Sequence, residues 1–296
     1  MELTAPADRR ALVRARRARR RRESWELLKA NPLTLTGLGL VALLVLVALL
    51  APLLTPYDPV KPNILEALQA PSWAHPFGTD DAGRDILARV LYGARISLRI
   101  GVIAVLVIMA VGVPIGLIAG TVGGWVDAVI MRIADVFLAF PTLVLALAVA
   151  ASLGGGMQNV VIAVAIAGWP WYARLVRSVV LSVRHEGYVE AARVGGASRW
   201  RIIRRHILPN SIAPVIVQAS QDLGFTVLLA ASLGFLGVGV SIPTPEWGTM
   251  INDGREVFMS SWWVAGFPGL AIVLTVLAFN LAGDGLRDIL DPRSRR

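Results

Sequence analysis

The sequence predicts an all-α polytopic membrane protein with six transmembrane helices and both termini cytoplasmic. Three observations carry this. Apolar residues make up 55% of the 296, and mean hydropathy is +0.64. Charged residues make up 17%, against about 25% in an ordinary soluble domain. The positive charges also lie in blocks. Residues 1–36 hold 10 of the 29 Lys and Arg, residues 172–211 hold eight more, all Arg, and residues 285–296 hold four. Between the blocks run apolar stretches long enough to cross a hydrocarbon core of about 30 Å at about 1.5 Å per residue.

The elements follow in order. Residues 1–32 form a cytoplasmic polybasic segment, densest from Arg14 to Arg22. It reads as an orientation signal and a contact for anionic lipid rather than a nucleic-acid arm. A cleavable leader is not expected, because the basic region is long and no small-residue cleavage pattern follows. The first span, 33–54, is nearly pure Leu, Val and Ala. Residues 55–97 form an external loop that opens extended around Pro52, Pro56, Pro59 and Pro62. In it, Thr79, Asp80 and Asp81 read as an N-cap and first-turn acids. Ile86, Leu87, Val90 and Leu91 then predict an amphipathic helix on the outer surface. A calcium loop is not expected there, since alternating oxygen ligands and a bidentate Glu are missing.

The remaining spans are 98–120, 133–152, 159–180, 211–237 and 264–283. Gly112, Gly116 and Gly120 share one face of the second and predict close helix packing. Pro114 and Pro170 predict kinks. Arg132 and Asp135 are spaced to pair at i, i+3. The span 159–180 is the weakest, because it contains Arg174 and Arg177. Trp247, Trp262 and Trp263 read as an interfacial aromatic belt. The orientation follows from the Lys and Arg count. Outside segments carry Lys61, Arg84, Arg89, Arg95 and Arg255, and five acids offset the first four. The segments 1–32, 121–132, 177–210 and 284–296 carry most of the rest.

Several chemistries are missing. With no Cys, there is no disulfide, thiolate metal site or Cys nucleophile. No G-x-x-x-x-G-K-[ST] loop cradles ATP phosphates, and no H-E-x-x-H is present. Gly234, Gly237 and Gly239 are spaced wrongly for a dinucleotide loop, and no strand precedes them. His75, His185 and His206 lie far apart in sequence, so no metal site is expected. No catalytic or cofactor-binding set is expected either. A membrane-embedded enzyme would have little to use within the spans beyond Asp135 and Asp222.

Two features carry function. The first is Tyr188-Val189-Glu190-Ala191-Ala192-Arg193-Val194-Gly195-Gly196, running on to His206-Ile207-Leu208-Pro209-Asn210. It predicts two short helices around a glycine break. Glu190 suits a helix N-terminus, Ala191 and Ala192 admit a close partner surface, and Gly195 and Gly196 permit the turn. Trp200, Ile203 and Ile207 form an apolar stripe, with Arg201, Arg204 and Arg205 off it, and Pro209 is expected to stop the second helix. The pattern alone leaves open a headgroup-bound amphipathic helix or a protein-docking loop. The second feature is Asp222, ~17 Å into the fifth span at about 1.5 Å per residue. An ionisable group there is costly and a functional candidate. It could line a path and meet a cation, or be a buried hydrogen bond through Gln218 or Gln221.

Glu190, Ala191, Ala192, Gly196, Leu208 and Pro209 resemble the EAA loop of ABC importer permeases. His206 departs from the apolar residue usual in the general pattern. The His206-Ile207-Leu208-Pro209-Asn210 form resembles the C-type subunit of the dipeptide/oligopeptide/nickel branch. So do His75-Pro76-Phe77-Gly78-Thr79-Asp80 with Gly83-Arg84-Asp85, Tyr92-Gly93-Ala94-Arg95-Ile96-Ser97 and Phe140-Pro141. Phe235-Leu236-Gly237, Pro245-Glu246-Trp247-Gly248 and Asn280-Leu281-Ala282-Gly283-Asp284-Gly285-Leu286-Arg287-Asp288 match as well. Ala230 stands where many relatives carry Glu. The resemblance implies one N-terminal helix plus a five-helix permease core over 98–284, with the EAA loop at 184–210 and a cytoplasmic tail at 285–296. It implies a non-catalytic subunit of an ATP-driven importer for peptides or a related small solute, in a bacterial or archaeal cell membrane. It further implies a homologous B-type permease, two cytoplasmic ABC ATPase subunits docked on the EAA loop, and an external substrate-binding protein. ATP and Mg then sit on the ATPase partners, and no cofactor sits on this chain. Membrane lipids are expected partners; nucleic acid is not. An autonomous carrier or channel is the alternative, but it would have no need of the Glu-Ala-Ala loop.

Overall fold

The computed structural model describes residues 31–290. The polybasic run and the last six residues, on which part of the orientation argument rests, lie outside the described residues.

Helix α1 spans Pro32–Leu54. The Asn31 side chain accepts from Leu33 N at 3.1 Å, and Pro32 stands where no helical N–H is needed. Pro52 lies inside α1 rather than in the extended loop. Having no N–H, it leaves the Ala48 carbonyl without its helical donor. Arg95 supplies the missing donor, with Nε on Ala48 O and an Nη on Leu49 O at 2.8 Å.

Helix α2 spans Ile86–Val122. It absorbs both the expected surface helix and the second span in one rod. The N-cap is Asp85, accepting from Ala88 N at 2.7 Å, and not the Thr79–Asp81 group. Ile86, Ala88, Arg89, Gly93 and Ala94 are buried, so this turn packs inside the protein rather than on the surface.

Helices α3 (Gly124–Leu138) and α4 (Thr142–Leu153) replace the expected third span. They meet at 88° across Ala139, Phe140 and Pro141. Pro141 biases the residue before it away from helix, which explains the break there. Helix α5 spans Met157–Val183. Its arginines are tolerated because α3 supplies acids. Arg177 holds Asp127 at 2.6 Å, and Arg174 holds Asp135. Asp135 therefore pairs across helices rather than with Arg132.

Helices α2 and α5 pack through the expected glycine seam. A Cβ on Gly112, Gly116 or Gly120 would sit 2.4–2.7 Å from α5 atoms. After α6 (Gly187–Val194) and α7 (Arg199–Ile202), the chain passes a π-helical turn, Ile203–Ile207, into α8 (Leu208–Leu233). Pro209 does not stop the helix. The wider π turn absorbs its missing N–H, and the helix continues. A second π-helical turn, Gly234–Val238, leads to α9 (Trp247–Gly254) and α10 (Trp263–Leu290). Helix α10 packs on α1 where Gly37 and Gly285 lack side chains, and on α8 at Gly224 and Gly283.

Among the described residues, five helices are long and apolar enough to cross a membrane, and α3 with α4 form one further bent pair. The aromatic belt is a correction. Trp247 and Trp263 are buried, donating Nε1–H to Val90 O at 3.0 Å and Thr79 O at 3.2 Å; Trp262 alone is exposed. Each buried indole has a backbone acceptor, which removes its preference for the wet interface.

Candidate functional site

The first site is the loop from α6 to the start of α8. Val189 is 0% exposed and packs in one apolar cluster with Ile202, Ile207 and Val180. That anchor turns the other side of α6 outward. Glu190, in its first turn, and Ala191 are exposed, Ala192 is half-buried, and Val194 is 91% exposed. Gly196 takes φ +77°. Gly196 N–H donates to Arg193 O at 3.1 Å, and Ala197 N–H to Ala192 O at 3.0 Å. This double bond pattern is a Schellman cap, which needs a left-handed residue at the Gly196 position. Ser198 then caps α7, accepting from Arg201 N at 3.4 Å. Of the expected apolar stripe, Ile207 is buried and Ile203 half-buried, while Trp200 is 69% exposed. Ile202, two residues after Trp200, takes the inner place.

Leu208 is half-buried and Pro209 exposed, and both begin α8. Asn210 Nδ2 donates to Tyr188 Oη at 3.3 Å and to His206 O. The Tyr188 and His206 rings lie 5.7 Å apart. His206, where the motif departs from an apolar residue, thus ties α6 to α8. The sequence named the residue but not that role.

The second site is a cavity of about 330 Å³ between α2, α4, α5 and α8. Ile108, Thr142, Trp171, Tyr172, Gln218 and Asp222 all line it. Asp222 accepts from Gln218 Nε2, one turn earlier, at 2.9 Å. Gln221, the other expected partner, points away and bonds Asp284 at 3.0 Å. The loop and the cavity occupy separate parts of the fold, joined by α8.

A buried polar cluster at the opposite end from the loop was not anticipated. Arg89 is 2% exposed and sits 3.4 Å from Asp80, with an Nη donating to Pro59 O at 3.0 Å. Asp80 also holds Arg84 at 2.7 Å. His75 Nδ1 lies 2.8 Å from Asp85. Glu246, 2% exposed, caps α9 by accepting from Gly248 N and Thr249 N at 2.9 Å each. Burial pushes the Glu246 carboxyl above the usual range, although these donors and Ser97 oppose the shift. Burial raises Asp253 as well, against Arg89 and Arg84. The advance signals were two motifs that hold members of the cluster, His75-Pro76-Phe77-Gly78-Thr79-Asp80 with Gly83-Arg84-Asp85 and Pro245-Glu246-Trp247-Gly248.

Comparison with known proteins places these features. Residues 112–296 match the family model described as "Binding-protein-dependent transport system inner membrane component". Residues 20–71 match "N-terminal TM domain of oligopeptide transport permease C". The dipeptide transport system permease protein DppC of Alkalihalophilus pseudofirmus is 49% identical over 93% of this chain and 90% of its own length. The glutathione transport system permease protein GsiD of Pectobacterium atrosepticum is 49% identical over 92% of this chain and 91% of its own. An inward-facing structure of the MetNI methionine ABC transporter shares the fold, with a TM-score of 0.58 and 19% identity over 70% of this chain and 98% of that one. With the apolar helices described above, these matches show that the chain belongs to the family of binding-protein-dependent transport system inner membrane components, as a multi-pass permease of ABC transporters.

Proposed function

We propose that this chain forms half of the translocation path of an ATP-driven importer for di- and oligopeptides. The named substrates of its relatives, a dipeptide and the tripeptide glutathione, support that size class. The other half is a homologous B-type permease. Two cytoplasmic ATPase subunits carry ATP and Mg, and an external binding protein delivers the peptide; this chain is non-catalytic and binds no cofactor. The bent pair α3–α4 counts as one of six spans, and the Arg-rich loop and both termini face the cytoplasm. In this reading residues 1–32 and 285–296 are cytoplasmic segments, 33–54 is a helix apart from the permease core, and 55–97 is external. The Leu-rich outer face of α1 meets lipid.

The observation that carries the reading is the geometry of residues 184–210. A short helix held by one buried Val presents Glu190, Ala191 and Val194 to the outside, and a Schellman cap at Gly196 fixes its end. Small side chains on a rigid helix let a cleft on a partner close over it. In this arrangement Glu190 contacts the ATPase or orders the loop, Ala191 and Ala192 form the contact face, and Gly196 makes the turn. Leu208 and Pro209 pass the displacement into α8, which carries Asp222.

The test is affinity purification of the tagged full-length chain from its native membranes. Recovery of a Walker-motif ATPase and a homologous permease, with ATP hydrolysis stimulated by peptide-loaded binding protein, is the expected result. A chain that purifies alone and transports without any ATPase would overturn the proposal in favour of an autonomous carrier.

A further inference from the structure

The cavity beside α8 contains more polar capacity than packing requires. Among the described residues, no Lys, Arg or His lies within salt-bridge distance of Asp222; its partner is the neutral Gln218 amide. A carboxylate inside a membrane bundle is costly without a cation and marks a functional position by default. Gln218 donates through Nε2, so its carbonyl oxygen remains an acceptor. The Tyr172 side chain is 1% exposed, and its hydroxyl is the one buried side-chain atom without a hydrogen-bond partner among the described residues. It lines the cavity beside the Asp222 carboxylate. Buried hydroxyls are rarely left so.

The three groups share one character: each presents an oxygen acceptor to the same space. Trp171 and Phe225 add half-exposed aromatic rings to the lining, surfaces that attract cations. A volume of about 330 Å³ falls at the small end of ligand pockets, ~300–1,000 Å³. An anionic group is repelled by Asp222. A group with one positive charge and three N–H donors matches all three acceptors.

From this we infer that Asp222, Gln218 and Tyr172 form a subsite for a primary ammonium group. It holds the free amino end of a peptide while the chain's half of the path is occupied. The inference rests on the importer reading and specifies how that path recognises its cargo.

The test uses the complete transporter in lipid nanodiscs and two photoreactive probes, alanyl-photoleucine and its N-acetyl form. Adding them without the binding protein removes that protein's own selectivity. The free-amino probe is expected to label this chain about tenfold or more above the acetylated one, the scale of one charge-assisted hydrogen bond. Asp222→Asn should bring the free-amino probe down to the acetylated level, and Asp222→Glu should keep most of the difference. Tyr172→Phe should reduce it a few-fold. Equal labelling by both probes in the native chain, or unchanged discrimination in Asp222→Asn, would overturn the subsite. If Asp222→Asn fails to co-purify with its partners, the native-chain comparison decides alone. ATP hydrolysis that responds to loaded binding protein while discrimination is absent refutes only the subsite. A transporter with no such response refutes the importer reading itself.

Discussion

Replacing Gly116 with Ala tests how tightly α2 and α5 are packed. A Cβ there would lie 2.4 Å from Ala173 O and 2.9 Å from Val176 Cβ. The first contact is backbone on a long helix, so no rotamer change relieves it. Reaching an ordinary contact of 3.4 Å requires the helices to part by about 1 Å locally. Such overpacking costs about 1–3 kcal/mol. The substitution also gains about 1 kcal/mol of helix propensity. Gly39→Ala isolates that gain, because Gly39 is exposed on α1 with nothing within 4 Å of its Cβ position. The difference between the two variants is therefore the overpacking cost alone. At ~2–4 °C per kcal/mol, Gly116→Ala should melt roughly 2–12 °C below Gly39→Ala in detergent thermal-shift assays. Coincident melting curves, or a lower midpoint for Gly39→Ala, would refute the close-packed seam.

Glu246 makes a pH prediction. Its raised folded pKa means the folded chain keeps a proton that the unfolded chain has released. Its contribution to stability therefore falls as pH rises from the ordinary Glu value of about 4.3 to the raised folded value, and is level outside that window. Thermal midpoints of Glu246→Gln across the window should show a shallower slope than the native chain, the remainder belonging to Asp253, which is shifted the same way. Arg89→Met should cost about 1.5–3 kcal/mol, because Pro59 O loses its charged donor while Asp80 keeps Arg84 as its ion-pair partner; the thermal midpoint of the purified chain checks it. Gly196→Val should lower peptide-stimulated ATP hydrolysis in the assembled transporter about five- to thirtyfold by straining the φ of +77°, a conformation costing about 1–2 kcal/mol for other residues. Gly187→Ala, with open space and ordinary φ, should leave that hydrolysis unchanged.

Features set by local chemistry were legible from the residues. The glycine seam, the Gly195–Gly196 break, Glu190 in a first turn and the apolar rods all depend on spacing within one segment. Features set by partners far along the chain were not. Arg174 and Arg177 weakened the fourth span as read, because the acids that neutralise them sit 39 and 50 positions earlier on α3. Trp247 and Trp263 looked interfacial because their acceptors, Val90 O and Thr79 O, come from another segment. Pro209 resembled a stop signal, since no pattern announces a π-helical turn. Phe140-Pro141 held a visible breaker inside an apolar run, and hydropathy averaged across it. For the candidate site, the loop residues and Asp222 were named from sequence, and Gln218 among its partners. The Tyr172 hydroxyl beside Asp222 was invisible, because only the packing of α5 against α8 brings it to the carboxylate.

The central claim is that residues 184–210 dock an ATPase. The chain has no native Cys, so a single Cys in place of the half-buried Ala192 reports contacts at that helix without background. Cross-linking in native membranes should capture a Walker-motif ATPase, and Gly196→Pro in the same chain should abolish the capture. A folded, inserted chain that cross-links only to lipid would contradict the claim and reduce the loop to a headgroup-bound helix.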